Sequence, residues 1–187
     1  MKKILLGLTI LSAFAATSAH AESTVGARGN INFIGSINAD TCTVRSPGAA
    51  STGSDLLVDM GSVSALTLGT EAQPATSAGG ITSLAKNIDM EVECIAGTKV
   101  ELKLTPTTVS GKGIAVTGGA QNVQIMLVND ENILDFTSGS VTLGAPYANG
   151  SITIPLTAYY TRKAGAELAS IVTGRANATV AYELSYE

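Results

Sequence analysis

The sequence predicts an all-β domain of the sandwich class. Three observations predict it: short segments alternate apolar and polar residues, turn signals separate those segments, and long stretches with a helical period are lacking. Hydrophobic residues make up 45% of the chain and charged residues 14%, which is enough apolar material for one well-packed core. The sequence has no internal repeat and no linker long enough to separate two domains.

The first 21 residues have the pattern of a secretory signal. Lys2 and Lys3 precede the apolar stretch Ile4–Ala15, and residues 19–21 (Ala-His-Ala) have the small-x-small form of a cleavage site. The apolar stretch is too short to span a bilayer, and the sequence has no other such stretch, so we expect no membrane span. We expect a mature chain that begins near Glu22 and travels to an oxidising compartment.

The composition of the mature chain excludes several classes of function. The 166 residues after the signal carry 9 basic and 15 acidic residues, a formal charge of −6. This balance argues against nucleic acid as a partner, because such binding needs clustered Lys and Arg. The only histidine, His20, leaves with the signal, so neither a Ser-His-Asp triad nor a histidine-rich zinc site can form. We predict no cofactor and no metal site.

Two cysteines remain in the mature chain, Cys42 and Cys94. In an exported protein such a pair is expected to form one disulfide. A pair of free thiols or a redox site is the alternative, although the C-x-x-C spacing of redox motifs is missing.

The first alternating segment of the mature chain runs from Thr24 to Phe33. Its apolar face consists of Val25, Ala27, Gly29, Ile31 and Phe33, and its polar face of Thr24, Gly26, Arg28, Asn30 and Asn32. The pattern alone leaves two interpretations open: an ordinary first strand of a sheet, or a segment that covers a strand edge elsewhere.

The body of the chain contains further short strand signals between turns. The predicted strands are Ile31–Ile37, Thr41–Val44, Leu56–Met60, Ile88–Cys94, Val100–Leu104, Val123–Val128, Val141–Leu143 and Ile152–Tyr160. Pro155 interrupts the last of these and predicts an edge or a bulge there. Residues 45–54, 70–80 and 162–174 are predicted loops, the third with a possible short helical turn at residues 166–170.

The final strand signal, Ala178–Tyr186, is the strongest of all. Ala178, Val180, Tyr182, Leu184 and Tyr186 share one face, and Thr179, Ala181, Glu183 and Ser185 share the other. With one residue after it in the sequence, we expect the outer edge of this strand to need cover from elsewhere, because a long apolar edge is an aggregation hazard. The alternating segment at residues 24–33 is the candidate.

The charged residues favour solvated strand faces over a catalytic site. Asp89, Glu91 and Glu93 alternate with apolar residues, so a general acid–base role is disfavoured; we expect Lys99 and Lys103 to pair with them across neighbouring strands. The run Gly111-Lys112-Gly113 is too short for a phosphate-binding loop.

Several motifs together resemble one family. They are residues 33–37 (Phe-Ile-Gly-Ser-Ile), 42–44 (Cys-Thr-Val), 58–61 (Val-Asp-Met-Gly), 88–94 (Ile-Asp-Met-Glu-Val-Glu-Cys) and 152–160 (Ile-Thr-Ile-Pro-Leu-Thr-Ala-Tyr-Tyr), with Gly174 fourteenth from the end and Tyr186 penultimate. On these residues the mature chain resembles the pilin subunits of chaperone–usher fimbriae, close to the type 1 major-fimbrial family. The departures lie in the loops, at residues 116–120 and 130–136.

The resemblance implies an incomplete immunoglobulin-like β-sandwich that lacks its last strand and carries an N-terminal donor-strand extension. In such a family a periplasmic chaperone first lends a strand to the vacant groove, and the extension of the next subunit replaces it at the outer-membrane usher. The expected donor face is then the apolar face defined above, with Gly29 at a shallow pocket. Gly174 and the apolar face of the last strand are expected to line the acceptor groove.

The resemblance also implies a division of the chain and a location. We expect a signal peptide at residues 1–21, a donor-strand extension at 22–35 and a pilin domain at 36–187, exported through the periplasm to a cell-surface fimbrium that supports adhesion. A minor adaptor pilin of the same assembly is one alternative. A secreted carbohydrate-binding sandwich and an unusual hydrolase are rivals from other classes; the absence of Trp disfavours the first of these.

Overall fold

The computed structural model describes residues 30, 32, 34, 42–52, 54–77, 80, 82–94, 99–146 and 150–186. The chain divides into two units, Met1–Asn38 and Ala39–Glu187, and all secondary structure described below belongs to the second. The predicted donor face lies outside the described residues, and of the predicted strand at residues 31–37 only Asn32 and Ile34 are described, neither in a strand. The three described positions of the first unit are exposed.

The described part of the second unit consists of fourteen strands and two 3₁₀ turns. The strands are β1 (Cys42–Arg45), β2 (Ala50–Thr52), β3 (Asp55–Leu57), β4 (Ala85–Asn87), β5 (Met90–Cys94), β6 (Lys99–Pro106), β7 (Val109–Ser110), β8 (Gly113–Ala115), β9 (Val123–Asn129), β10 (Asn132–Ile133), β11 (Val141–Pro146), β12 (Ser151–Ile154), β13 (Thr157–Arg162) and β14 (Val180–Tyr186). The 3₁₀ turns are Ala65–Thr67 and Leu168–Ser170. The all-β prediction is confirmed, as is a helical turn in the loop after residue 162.

The strands form three antiparallel sheets and one separate hairpin. The strand orders are β1-β5-β12, β11-β6-β14 and β4-β13-β9-β8-β7, with β10 paired to β9, and β2-β3 form the hairpin. Alternation explains the sheets, because β5 and β6 each bury every second side chain. Side chains from all three sheets meet in one core that includes Val92, Leu102, Ile125, Ile154 and Ala158. The architecture is a sandwich around a single core.

The chain crosses from one sheet to another at Pro155, where the sequence predicted one interrupted strand. β12 ends before this proline and pairs with β5, whereas β13 begins after it and pairs with β4 and β9. The carboxylate of Asp89 accepts a hydrogen bond from the Leu156 amide at 3.0 Å, and the Asn129 side chain donates to the Pro155 carbonyl at 2.7 Å. The predicted break is correct, but it separates two sheets. Asp89 has a structural role there and is half-buried, not solvated.

Two other predictions from the strand pattern are wrong. Residues 45–54 are not a continuous loop, since they contain β2, which pairs with β3 in a tight hairpin. The predicted pairing of Lys99 and Lys103 with the acidic face of β5 does not occur, because β5 and β6 lie in different sheets. Glu93 instead contacts Arg45 at 2.6 Å on β1, and Lys99 contacts Glu101 at 2.5 Å on its own strand. β4, β7 and β8 were not predicted.

The predicted disulfide between Cys42 and Cys94 is confirmed. The two residues are direct partners in the β1–β5 ladder, so the bridge joins neighbouring antiparallel strands. It closes a loop across a sequence separation of 52 residues, which the chain-entropy model values at about 4 kcal/mol.

Candidate functional site

A large groove of about 1290 Å³ lies among the described residues. Two segments line it, residues 54–65 (the first wall) and residues 171–182 (the second wall). Between them the groove is lined by apolar core side chains, including Met90, Leu104, Ile114, Ile125, Leu156 and Ala158. These floor side chains are themselves 1–8% exposed, so the groove runs over the edge of the core, and no described strand fills it.

The first wall has the pattern of a strand but little pairing. Leu56, Val58 and Met60 are half-buried and alternate with the exposed Asp55, Leu57 and Asp59. The ladder with β2 ends at Leu57, and residues 58–63 form no backbone–backbone hydrogen bond with any other described residue. The sequence predicted a strand at Leu56–Met60 from this alternation. The prediction fails after Leu57 because the described structure offers no partner strand there.

The second wall is hydrogen-bonded along one edge. β14 pairs with β6 from Val180 to Tyr186, and no described strand pairs with its other edge. Before β14, the Ala120 amide donates to the Arg175 carbonyl at 3.0 Å, and Thr117 and Asn177 exchange two backbone hydrogen bonds. Among the residues that the structure describes, the wall is thus fixed on one side and has no strand partner on the other, which is the geometry of an acceptor edge.

Two tyrosine hydroxyls tie the groove together. The Tyr160 hydroxyl, from the floor, donates to the Ala176 carbonyl at 2.7 Å. Burial, and then the nearby carboxylate of Asp59, raise the pKa of this hydroxyl. The Tyr182 hydroxyl donates to the Ser54 carbonyl, so the two walls meet at that end of the groove.

The predicted groove residues fall into two groups. Gly174, Ala178, Val180 and Tyr182 line the groove, although Ala178 lies before the first residue of β14. Leu184 and Tyr186 share the inward face of β14 and pack half-buried against the core, but they lie beyond the lining residues. The donor-face residues Val25, Ala27, Gly29, Ile31 and Phe33 lie outside the described residues.

Gly174 has a steric reason to be glycine. A Cβ at this position would lie 2.7 Å from the Ala120 amide nitrogen and 2.8 Å from the Gly119 carbonyl carbon. Both contacts are with backbone, which cannot move aside as a flexible side chain can. The Gly-rich loop at residues 116–120, where the sequence departs from the family pattern, is therefore the neighbour that requires this glycine.

Other kinds of site find little support among the described residues. The four tyrosines that the structure describes are all half-buried and Phe136 is buried, so none offers an exposed platform for a sugar. Within the same residues no group of three His, Cys, Asp or Glu side chains is arranged to hold a metal ion. No helix in the described part of the chain is long and apolar enough to cross a membrane.

Comparison with known proteins identifies the family. The sequence profile described as "Fimbrial protein" matches residues 31–187. The chain belongs to the Fimbrial protein family. It is thus a pilus subunit, as the sequence motifs indicated.

Solved structures of pilus subunits share the fold of this fimbrial subunit. The P pilus rod subunit PapA superposes with a TM-score of 0.53 at 17% identity, covering 79% of this chain and 99% of PapA. A chain from a solved structure of a chaperone–usher pilus, described as revealing the basis of rod uncoiling, gives 0.54 at 18% identity, covering 89% of this chain and all of that one. These likenesses confirm an incomplete immunoglobulin-like sandwich of the pilin type.

A more distant likeness involves the CupB6 tip adhesin from Pseudomonas aeruginosa, with a TM-score of 0.47 at 22% identity. The fimbrial subunit spans about a third of that adhesin, covering 30% of it with 55% of its own residues. No curated protein sequence matches the chain.

Proposed function

We propose that this protein is a structural pilin that polymerises by donor-strand exchange. The groove of one subunit receives the N-terminal segment of the next copy, which pairs with the free edges of both walls and fills the apolar groove between them. The product is a cell-surface fimbria that supports adhesion. The single observation that carries the proposal is an apolar groove, lined by core side chains, between two strand edges that no described strand fully pairs.

An added strand would supply the two things that the groove lacks, apolar cover and backbone hydrogen-bond partners. The apolar residues of the groove walls, such as Leu57 and Val180, are exposed or half-buried and leave apolar area in contact with water, at a cost of about 25 cal/mol per Å². Unpaired backbone edges offer hydrogen bonds that a strand can complete, and alternate side chains of that strand then enter pockets on the floor. A globular ligand would satisfy the apolar floor but not the two edges.

The segment at residues 24–34 has the pattern required of such a strand. Every second residue from Val25 to Phe33 is apolar or small, and the residues between them are polar. Eleven residues in β conformation reach about 36 Å, enough to run along most of a wall of twelve residues. We assign residues 22–35 to this extension, residues 1–21 to the signal and residues 36–187 to the pilin domain.

A subunit with an open core needs protection before it polymerises. A periplasmic chaperone that lends a strand to the groove supplies this protection, and an outer-membrane usher is where the exchange for the next subunit's extension takes place. The formal charge of −6 and the scarcity of clustered cations support protein partners over nucleic acid. The expected partners are therefore other pilin copies, the chaperone and the usher, and the role is structural, not enzymatic.

The experiment that tests the proposal compares two glycines of the donor segment. Gly29→Leu places a large side chain on the inserted face, whereas Gly26→Leu places the same side chain on the polar face. We expect Gly29→Leu to abolish or strongly reduce fibres in electron micrographs of material sheared from cells, while the periplasmic level of the subunit stays unchanged. Gly26→Leu is expected to leave fibres nearly normal.

Two outcomes count against the proposal. Normal fibre yield from Gly29→Leu would contradict the assignment of Gly29 to a shallow pocket of the groove. Wild-type material that elutes as a soluble monomer, with no fibres containing this chain, would favour a secreted binding module.

A further inference from the structure

A second cleft, of about 570 Å³, shares no lining residue with the groove and is rich in basic side chains. Lys112, Arg162 and Lys163 line it, and these are three of the nine basic residues of the mature chain. Among the described residues that line it, Glu71 alone is acidic. The cleft is thus a basic site on a mature chain whose formal charge is −6.

The end of β13 and the turn that follows it fix one side of the cleft. The Arg162 amide donates to the Gly69 carbonyl, and the Lys163 amide donates to the Asn122 carbonyl, each at 3.0 Å. The Ala166 amide donates to the Lys163 carbonyl at 3.0 Å and closes the turn. The two basic residues are therefore held in place by backbone hydrogen bonds before any ligand arrives.

The Arg162 guanidinium is itself held in the cleft. Its Nη1 donates to the Ala166 carbonyl at 3.3 Å, and its Nε is buried. Within the described residues, neither Arg162 nor Lys163 forms an ion pair. A half-buried cation without a counter-charge attracts an anion more strongly than a fully hydrated one does. The planar fork of a guanidinium also matches the paired oxygens of a carboxylate or sulfate group.

The two acidic residues nearest these cations leave Arg162 and Lys163 unneutralised. Asp135 lies 3.5 Å from Lys112 and offsets the charge of that lysine. The Glu71 carboxylate accepts a hydrogen bond from the side-chain amide of the fully buried Gln124 at 3.2 Å, and it pairs with none of the three cations of the cleft. Glu71 is thus held by a neutral partner, and its second oxygen is available as a hydrogen-bond acceptor.

We propose that this cleft binds an acidic saccharide, with the carboxylate or sulfate group on Arg162 and Lys163 and the sugar hydroxyls donating to Glu71. A bare inorganic anion satisfies the cations but is repelled by Glu71, whereas hydroxyl groups beside an acidic group satisfy both. The size of the cleft agrees, since pockets for small organic ligands have volumes of about 300–1000 Å³. Recognition depends on charge and hydrogen bonds, so it needs no exposed aromatic platform. The inference goes beyond the proposed function, because the cleft takes no part in strand exchange.

Equilibrium binding to the purified mature chain tests the cleft with three probes. They are a sulfated disaccharide, an uncharged disaccharide and sodium sulfate. We expect the sulfated disaccharide to bind, sodium sulfate to bind about tenfold more weakly, and the uncharged disaccharide not to bind. Added sodium chloride should lower the affinity for the sulfated disaccharide, because it screens the cations.

Substitutions that remove one charge locate the site. Arg162→Gln should weaken binding of the sulfated disaccharide about tenfold, since it removes charge-assisted hydrogen bonds. Lys163→Gln should weaken it about threefold, and this exposed residue remains informative if Arg162→Gln does not fold. Lys103→Gln on β6 is the matched control: it removes the same charge from an exposed position outside the cleft, and we expect no change.

Glu71→Gln separates a saccharide from a free anion. It removes the repulsion that sulfate meets and the acceptor that the sugar hydroxyls use, so the preference for the disaccharide over sulfate should fall about fivefold. Sulfate that binds the wild-type chain as tightly as the sulfated disaccharide would overturn the saccharide as the ligand.

Other outcomes overturn the site altogether. These are equal binding of the charged and uncharged disaccharides, or unchanged affinity in both Arg162→Gln and Lys163→Gln. None of these measurements depends on fibres. A chain that binds the sulfated disaccharide as expected but forms no fibres would overturn the proposed function and leave this inference standing.

Discussion

β6 and β14 are neighbours in one sheet, have the same alternating pattern, and yet bury their side chains very differently. On β6, Val100, Leu102 and Leu104 are 1%, 0% and 4% exposed. Leu184 of β14 is the direct ladder partner of Leu102, but it is only half-buried. β6 has β11 on one side and β14 on the other, whereas β14 has only β6 among the described strands. Alternation selects which face turns inward; neighbours on both sides complete the burial.

The largest expected effect comes from removing the disulfide that joins β1 and β5, away from the open edge of β14. Replacing both Cys42 and Cys94 with Ser should lower the free energy of unfolding by about 4 kcal/mol, because the bridge restricts the unfolded chain. Thermal unfolding of the purified mature chain measures this, with periplasmic subunit levels as a second readout. Wild-type stability in the double variant would show that the covalent link between β1 and β5 has no structural importance.

Truncation of the ladder partners Leu102 and Leu184 measures the difference in burial between β6 and β14. Leu102→Ala should cost about 3 kcal/mol, because it leaves a cavity in a closed core. Leu184→Ala should cost about 1 kcal/mol in the mature chain, since water already reaches that side chain. Chemical denaturation of the two variants checks the difference.

A stricter test fills the groove and uses Val180, which lies on the same strand and lines the groove. In a self-complemented chain, in which a second copy of residues 24–34 follows the last residue through a short linker, Val180→Ala should cost more than it does in the mature chain. An equal cost of Val180→Ala in the two chains would contradict the open-edge account.

A smaller effect is expected at the second wall. Gly174→Ala forces a methyl group against the backbone of residues 119 and 120, and we expect a loss of about 1–2 kcal/mol. Gly144→Ala on β11 is the matched control, since the nearest atom to its new methyl group is a lysine carbon at 3.8 Å. Thermal melts that rank the two substitutions in the opposite order would rule out the close approach at Gly174.

The sequence predicted the closed part of the fold better than the open part. Alternation correctly located β5, β6 and β14, because every second side chain of those segments turns toward one core. β9 was also located, although it is buried on both faces from Val123 to Leu127. Alternation failed for residues 58–60, where the same pattern persists without a partner among the described residues. The period-two alternation predicts which face of a segment is apolar, but it does not predict which strand, if any, pairs with its edge.

The candidate site was predicted on one wall only. Val180 and Tyr182 belong to a long, regular strand, which the alternation predicted. The first wall combines a hairpin with an unpaired stretch, and the sequence predicted only a short strand there. The sheet change at Pro155 and the contact between Gly174 and residues 119–120 depend on segments far apart in the chain. No local pattern in the sequence contains that information.

The most direct test of the account compares the melting temperature of the mature chain with that of the self-complemented chain. Burying Val25, Ile31 and Phe33 contributes several kcal/mol, so we expect the added strand to raise the melting temperature by about 15 °C and to yield a monomer. A scrambled copy of the same eleven residues should give no such increase. A mature chain that melts as high as the self-complemented one, or an equal increase from the scrambled copy, would contradict the claim that this fold is completed by a neighbour's strand.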